Sequence, residues 1–165
     1  YSSSNYILLS GILEKVTHHS YESLVKETYI KKLGLSETEF YWDIPKNKRI
    51  KVAVSYTKNS QGYLVPHSVA VDKVHGDLGA GSLVMSNKDL YRATSAILNG
   101  EIIKPSSIQT VYAPADPAKY NAGFYNFPDF HSSNGSGDGY TTYYRISNDT
   151  RDVLIVQSNY RVKRI

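Results

Sequence analysis

The feature that most constrains this chain is a change of hydrophobic period near residue 119. Before it, apolar residues recur at helical spacing. Leu8, Leu9, Ile12, Leu13 and Val16 follow the i, i+3, i+4 rule, so residues 5–16 are expected to form a helix that buries this face. Thr17-His18-His19 interrupts it, and Ser20 can cap a second helix with Tyr21, Leu24, Val25, Tyr29 and Leu33 inward and Gly34 at its end. Between the helices, Lys51 to Tyr56 alternates, Lys58 to Gly62 reads as a turn, and Tyr63 to Val65 can return as a short strand. A glycine-rich stretch, 76–81, leads to Ser86-Asn87-Lys88-Asp89, the pattern of a capping box, and to a helix that buries Leu90, Ala93, Ile97 and Leu98 before Asn99-Gly100 stops it. After residue 119 the period changes to that of strands. Tyr120–Phe127, Gly139–Ile146 and Asp152–Tyr160 are rich in aromatic and β-branched residues, and Ser147-Asn148-Asp149-Thr150 is a turn between the last two. Helices first and an antiparallel sheet last make an α+β chain, not a βαβ alternation.

Composition narrows the chemistry. There is no cysteine, which removes disulfides, thiolate catalysis and Cys-ligated metals together. His18, His19, His67 and His75 show no zinc spacing and read as loop or surface residues. Tyrosine appears 15 times against 4 Phe and 1 Trp, an excess suited to half-buried sheet and cleft walls. Some of these rings could line a groove for a glycosylated or polyol polymer. The net charge of +4 is scattered apart from Lys46-Asn47-Lys48-Arg49 and Arg161-Val162-Lys163-Arg164, so a solvated surface or attraction to a polyanion are both open. No stretch approaches the roughly 20 apolar residues that span a bilayer.

Three segments, in order, resemble the penicillin-recognising serine hydrolases, the class C β-lactamase and D-alanyl-D-alanine carboxypeptidase type. Tyr1-Ser2-Ser3-Ser4-Asn5 and the helix that follows it are similar to the family's Y-[SA]-N segment. Gly79-Ala80-Gly81-Ser82-Leu83-Val84-Met85-Ser86-Asn87-Lys88-Asp89-Leu90 resembles its entry into a later helix that ends at Leu98-Asn99-Gly100. His131 to Thr142 resembles the strand and loop that carry the K-T-G or H-x-G box and close on Gly139-Tyr140-Thr141-Thr142. The resemblance implies the C-terminal half of the serine β-lactamase-like fold, a single partial domain over 1–165. Residues 1–118 would supply a mostly helical lobe with a short hairpin near 51–65, and 119–165 the antiparallel strands. It also implies that the S-x-x-K box with the nucleophile lies upstream of Tyr1, with any export signal or anchor. The chain alone is then expected to hydrolyse nothing.

By the same resemblance Tyr1 is catalytic. It would face the upstream Ser and Lys and help move the Ser proton, because a neutral hydroxyl is a poor nucleophile without a base beside it. A neighbouring ammonium would bring its phenol into useful range. Ser3 stands where the family has an Asn that binds the substrate amide, and its single hydroxyl can cover one of those contacts. A helix N-cap is the other reading of Ser3. Ser133-Asn134-Gly135 occupies the position of K-T-G, without its lysine, while His131 could serve as the cation if two extra residues are allowed before Gly139. A plain turn loop over 132–139 is the alternative, and Ser82 and Asp89 read as structural.

A peptide's terminal carboxylate needs that cation, since charge-assisted pairs are the strong ones and an unpaired carboxylate in a cleft is costly. A D-alanyl ester has no such carboxylate. The expectation is therefore an extracellular D-alanyl esterase on teichoic acid of a Gram-positive surface, working through an acyl-enzyme. A D-alanyl-D-alanine carboxypeptidase or β-lactamase-like enzyme that uses His131 is the second reading, and a catalytically inactive wall-binding module the third. Expected partners are a D-alanylated cell-wall polymer or peptidoglycan stem peptide and the upstream half of the same protein. No nucleic acid, metal or organic cofactor is implied.

Overall fold

The computed structural model describes residues 1–161, so Val162-Lys163-Arg164 of the terminal basic run lie outside the described residues. Helices and short strands come first: α1 (Ser3–Thr17), α2 (Tyr21–Val25) continued by a wider π turn (Lys26–Lys31), β1 (Thr38–Phe40), a 3-10 segment (Tyr41–Lys46), β2 (Tyr56–Lys58), β3 (Leu64–Pro66), α3 (Val71–Gly76), β4 (Leu83–Met85), α4 (Asn87–Leu98) and α5 (Pro105–Val111). β5 (Lys119–Asn121), β6 (Phe124–Asn126), β7 (Phe130–Gly137), β8 (Tyr140–Ser147) and β9 (Val153–Ser158) then form one antiparallel sheet in sequence order. The fold is α+β.

Local chemistry explains most of the element ends. The Ser20 and Ser86 hydroxyls accept the N–H groups of Ser23 and Asp89, each at 3.2 Å, and open α2 and α4. The capping box is only half formed. The Asp89 carboxylate accepts from the Glu37 N–H at 2.7 Å and the Thr38 hydroxyl at 2.8 Å, so it ties α4 to β1. α4 carries the core on two sides. Ala93 and Ala96 pack with Leu33 and Leu35, while Leu90, Ile97 and Leu98 meet the sheet residues Phe124, Tyr144 and Ile146.

Three expectations about strands change. Residues 51–55 are not a strand, and the small hairpin starts only at Tyr56, paired to Pro66. Residues 120–127 are two strands, because Ala122 and Gly123 take positive φ (44° and 97°) and turn the chain back. Residues 130–137, low in strand-forming types beyond Phe130, are nevertheless the long strand β7, paired with β8 from Phe130↔Ser147 to Gly137↔Tyr140. Asp138 and Gly139 close that hairpin at φ 48° and 81°, the two left-handed positions of a two-residue turn whose twist suits the strands.

α1 forms where its period predicts, but its face is not buried. Leu8, Leu9, Ile12, Leu13 and Val16 are each at least 45% exposed, and the buried residue of the helix is Ser10. What seats α1 is the turn at Gly79. Ser10 Oγ donates to the carbonyls of Ile7 (2.7 Å) and Leu78 (3.2 Å). Gly79 holds φ 84°, and a Cβ on it would stand 2.7 Å from the Tyr6 carbonyl oxygen and 3.0 Å from Ser10 Cβ. A Gly79→Ala change should therefore destabilise the protein by about 2–4 kcal/mol, the left-handed strain and the overlap together. Urea unfolding measures this, and a loss under 0.5 kcal/mol would show that α1 can move off the turn at little cost.

Candidate active site

Tyr1 precedes α1 and is 78% exposed, so ordinary packing does not hold it. Its ring lies 5.6 Å from that of Tyr6, tilted by 31°, and 5.5 Å from that of Tyr120, edge-on at 90°. The Tyr6 hydroxyl donates to the Tyr120 hydroxyl at 3.2 Å. Ser3 is the first residue of α1 and exposed. The N-cap position belongs to Ser2, whose side chain makes no capping bond, so the N-cap reading of Ser3 does not hold.

β7, which carries the expected position of the K-T-G box (the family's third box, after S-x-x-K and Y-[SA]-N), reaches the same neighbourhood from the sheet. Tyr120 and Tyr125 are cross-strand partners on β5 and β6 with rings 4.8 Å apart, and Tyr125 stands opposite Ser132 on β7. Ser133, half-buried, and Asn134 and Gly135, both exposed, come next along that strand. β6 pairs with β7 only at His131 and Ser132. From Ser133 to Gly137, β7 is bonded to β8 on one edge, and among the described strands none covers the other. In an antiparallel strand alternate residues turn both N–H and C=O to the same edge, so this stretch offers backbone donors and acceptors to a ligand. The plain-loop reading of 132–139 therefore fails. Gly139 keeps the hairpin close to the rest of the chain, for a Cβ there would meet Ser55 Cβ and Oγ at 2.8 Å. The Tyr140 hydroxyl, bonded to the Ala53 carbonyl at 2.7 Å, and the Lys73–Asp138 ion pair at 2.5 Å hold the same corner.

His131 is not on that edge. It is 5% exposed, with its ring edge-on to Phe124 and Tyr112. Its Nδ1 meets the Oδ1 of fully buried Asn126 at 2.7 Å. The Asn126 amide nitrogen donates to the carbonyls of Lys119 (3.1 Å) and Phe124 (3.2 Å), so Oδ1 accepts and His131 Nδ1 carries the proton. Burial pushes the imidazole below its ordinary value, towards the neutral form. The expected role of His131 as substrate-binding cation is thereby corrected: it is a core residue that joins β6 to β7.

Two Ser-x-x-Lys tetrads occur downstream of Tyr1, and neither makes a nucleophile couple. Lys26, after Ser23, is bound by Asp43 at 2.8 Å and Glu39 at 3.4 Å, and the Asp43 hydrogen bond raises its pKa, which keeps it charged. Ser55, before Lys58, is 2% exposed with its hydroxyl on the His67 carbonyl. Among the described residues no group of three or more His, Asp or Glu gathers to hold a metal, and no helix is long and apolar enough to cross a membrane. Tyr6, Tyr120, Tyr125 and Asn126 are the site residues that the sequence did not single out. No spacing marks three of fifteen tyrosines and one asparagine; strand pairing sets Tyr120 beside Tyr125, and the packing of α1 brings Tyr6 to Tyr120.

Residues 1–164 match the family described as Beta-lactamase. The chain is 26% identical over 159 residues to the Bacillus subtilis protein PbpX, named as a penicillin-binding protein, covering 96% of this chain and 39% of that one. It is 28% identical over 154 residues to the teichoic acid D-alanine hydrolase of Staphylococcus aureus, covering 87% and 36%. The crystal structure of FmtA from Staphylococcus aureus superposes with a TM-score of 0.82 at 24% identity, over 99% of this chain and 46% of that one. The chain thus spans less than half the length of each of these relatives.

The buried imidazole generates a pH dependence. An unfolded His131 binds its proton near pH 6.5, the folded one only at lower pH. Its contribution to stability is complete above about pH 6.5 and is lost as the pH falls through that value to the lower folded one. His131→Gln, which keeps an N–H for Asn126, should flatten this part of the decline between pH 7 and 5. Parallel thermal melts of the two proteins across that range would overturn the assignment if their slopes were equal.

Proposed function

The chain belongs to the β-lactamase family of serine hydrolases, and from that premise we propose that it is the C-terminal half-site of an extracellular enzyme that removes D-alanyl groups esterified to a cell-wall polymer. In this reading a Ser of an S-x-x-K box outside the chain attacks the D-alanyl carbonyl. The Lys of that box and Tyr1 take the Ser proton and return it to the departing polymer alcohol. Water then attacks the acyl-enzyme and releases D-alanine, and the Ser recovers its proton. An N–H on the uncovered edge of β7 is one donor of the oxyanion hole. Ser3 binds the D-alanyl moiety through its hydroxyl, and Ser133, Asn134 and Gly135 line the acyl group along the strand.

One observation carries the choice of substrate. By the resemblance Ser133-Asn134-Gly135 stands where the family has its cation, and His131, the imidazole on the same strand, is buried and inclined to be neutral. A carboxylate bound there would lose a charge-assisted hydrogen bond of about 1.5–3 kcal/mol, while an ester loses nothing. The similarity to a protein named teichoic acid D-alanine hydrolase supports the same substrate class.

The test uses the full-length protein with three substrates: a D-alanylated teichoic acid, a D-Ala-D-Ala peptide and a labelled penicillin. The ester should be turned over with a kcat/KM about ten- to a hundredfold above that of the peptide, the lost carboxylate contact expressed as a rate ratio. Tyr1→Phe should lower the ester rate by about 10²–10⁴, the range of a displaced general acid–base group. Release of D-alanine from the peptide but not from the polymer would sink the esterase reading. Polymer binding without any hydrolysis or acylation would assign the chain to a wall-binding module.

A further inference from the structure

Tyr1 poses a physical problem for the role given to it. A proton-transfer group must be held within a fraction of an ångström, yet 78% of this side chain is exposed and its residue lies before the first turn of α1. A side chain in that situation samples its staggered rotamers unless specific contacts select one. Two such contacts exist, the tilted ring of Tyr6 and the perpendicular ring of Tyr120. They differ in anchorage. Tyr6 lies on α1, the helix that Tyr1 precedes, whereas Tyr120 belongs to the sheet, with its own ring set edge-on against Tyr125 across the β5–β6 pair. Tyr120 is therefore the contact that relates Tyr1 to the sheet that bears the third-box strand.

We propose that Tyr120 is a positioning residue for Tyr1: its ring, seated by Tyr125 and tied to α1 through the Tyr6 hydroxyl, holds the Tyr1 ring in the single orientation that proton transfer needs. The inference rests on the catalytic reading of Tyr1. The arrangement has a useful electrostatic side. Burial first, then the bond from Tyr6 and the neighbouring phenols, pushes the Tyr120 hydroxyl far above the ordinary tyrosine range. It keeps its proton and does not compete with Tyr1 for the one that moves. The Tyr6–Tyr120 hydroxyl pair also joins α1 to β5 over 114 residues of chain. The positioning contact is thus an interlobe contact as well.

The experiment is a mutant cycle in the full-length protein with a D-alanyl ester as substrate, with the unfolding midpoint of each variant recorded. Tyr120→Leu removes the ring and should lower kcat about tenfold or more at a KM within threefold of the parent, since a misplacement of 1 Å is enough for such a loss. Tyr120→Phe restores the ring and should recover most of that rate. Tyr6→Phe should resemble Tyr120→Phe, because each deletes the same hydroxyl bond. In a Tyr1→Phe background Tyr120→Leu should cost nothing further, as expected when one residue acts only through the other. Tyr125→Leu, which unseats the Tyr120 ring from the far side, should lower kcat in the same direction and serves where Tyr120→Leu does not fold. An unchanged kcat in Tyr120→Leu, or an equal loss in both backgrounds, would overturn the positioning role. An inactive parent, or a Tyr1→Phe protein with full activity, would instead remove the premise about Tyr1, and the role of Tyr120 with it.

Discussion

The approach of the Gly79 turn to α1 is the contact on which the helical side of the candidate site depends. α1 has an apolar face, but that face is exposed, so the usual hydrophobic driving force does not fix the helix here. Its seat is made at backbone level instead. The turn comes close enough to the Tyr6 carbonyl that no side chain fits at Gly79, and Ser10, buried under it, bonds the Leu78 carbonyl. Such a contact is short and directional, and it specifies where the helix lies more sharply than a greasy stripe would. Tyr1, Ser3 and Tyr6 all inherit their positions from it.

The sheet side rests on a different constraint, the register of one hairpin. β7 is poor in strand-forming residues, yet eight consecutive pairs to β8 hold it extended. Those pairs have the Tyr144 and Ile146 face of β8 to supply packing, and the Asp138-Gly139 turn to set which residue faces which. The small residues of β7 are then an advantage for function. Ser133, Asn134, Gly135, Ser136 and Gly137 leave the uncovered edge free of bulk, so a ligand can come close to the backbone. An edge of this kind is an aggregation hazard in general. Here it is short, ends in a tight turn and is held at that end by contacts with Ser55, Ala53 and Lys73.

Element types were legible in the sequence where period and caps agreed. The Ser20 and Ser86 caps, the α4 face and the final hairpin all follow from local rules. Burial was less legible. The i, i+3, i+4 pattern of Leu8 to Val16 says that some surface covers it, not that this chain supplies that surface. β7 was obscured by its composition, although Asp138-Gly139 is the strongest short-range hairpin signal that a sequence can carry. His131 was misjudged for a physical reason. A histidine beside Ser and Asn in a polar stretch looks solvent-facing, but alternation along β7 turns His131 inward beside Asn126 and leaves Asn134 outward. The aromatic cluster was illegible because its members lie on α1, β5 and β6, far apart in sequence.

The electrostatics of the strand give the argument about substrate its direction. Lysine at the third box would be a strongly hydrated point charge on a flexible stem, well suited to a terminal carboxylate. Two cations of the described residues at the hairpin have partners of their own: Lys73 pairs with Asp138, and Arg145 lies over the Phe130 ring at 4.3 Å. His131 is withdrawn into the core, where charging it would cost the protein stability. What the strand presents instead is hydroxyl, amide and backbone, groups that hydrogen-bond an ester carbonyl, and a D-alanyl ester brings no carboxylate to be left unpaired there.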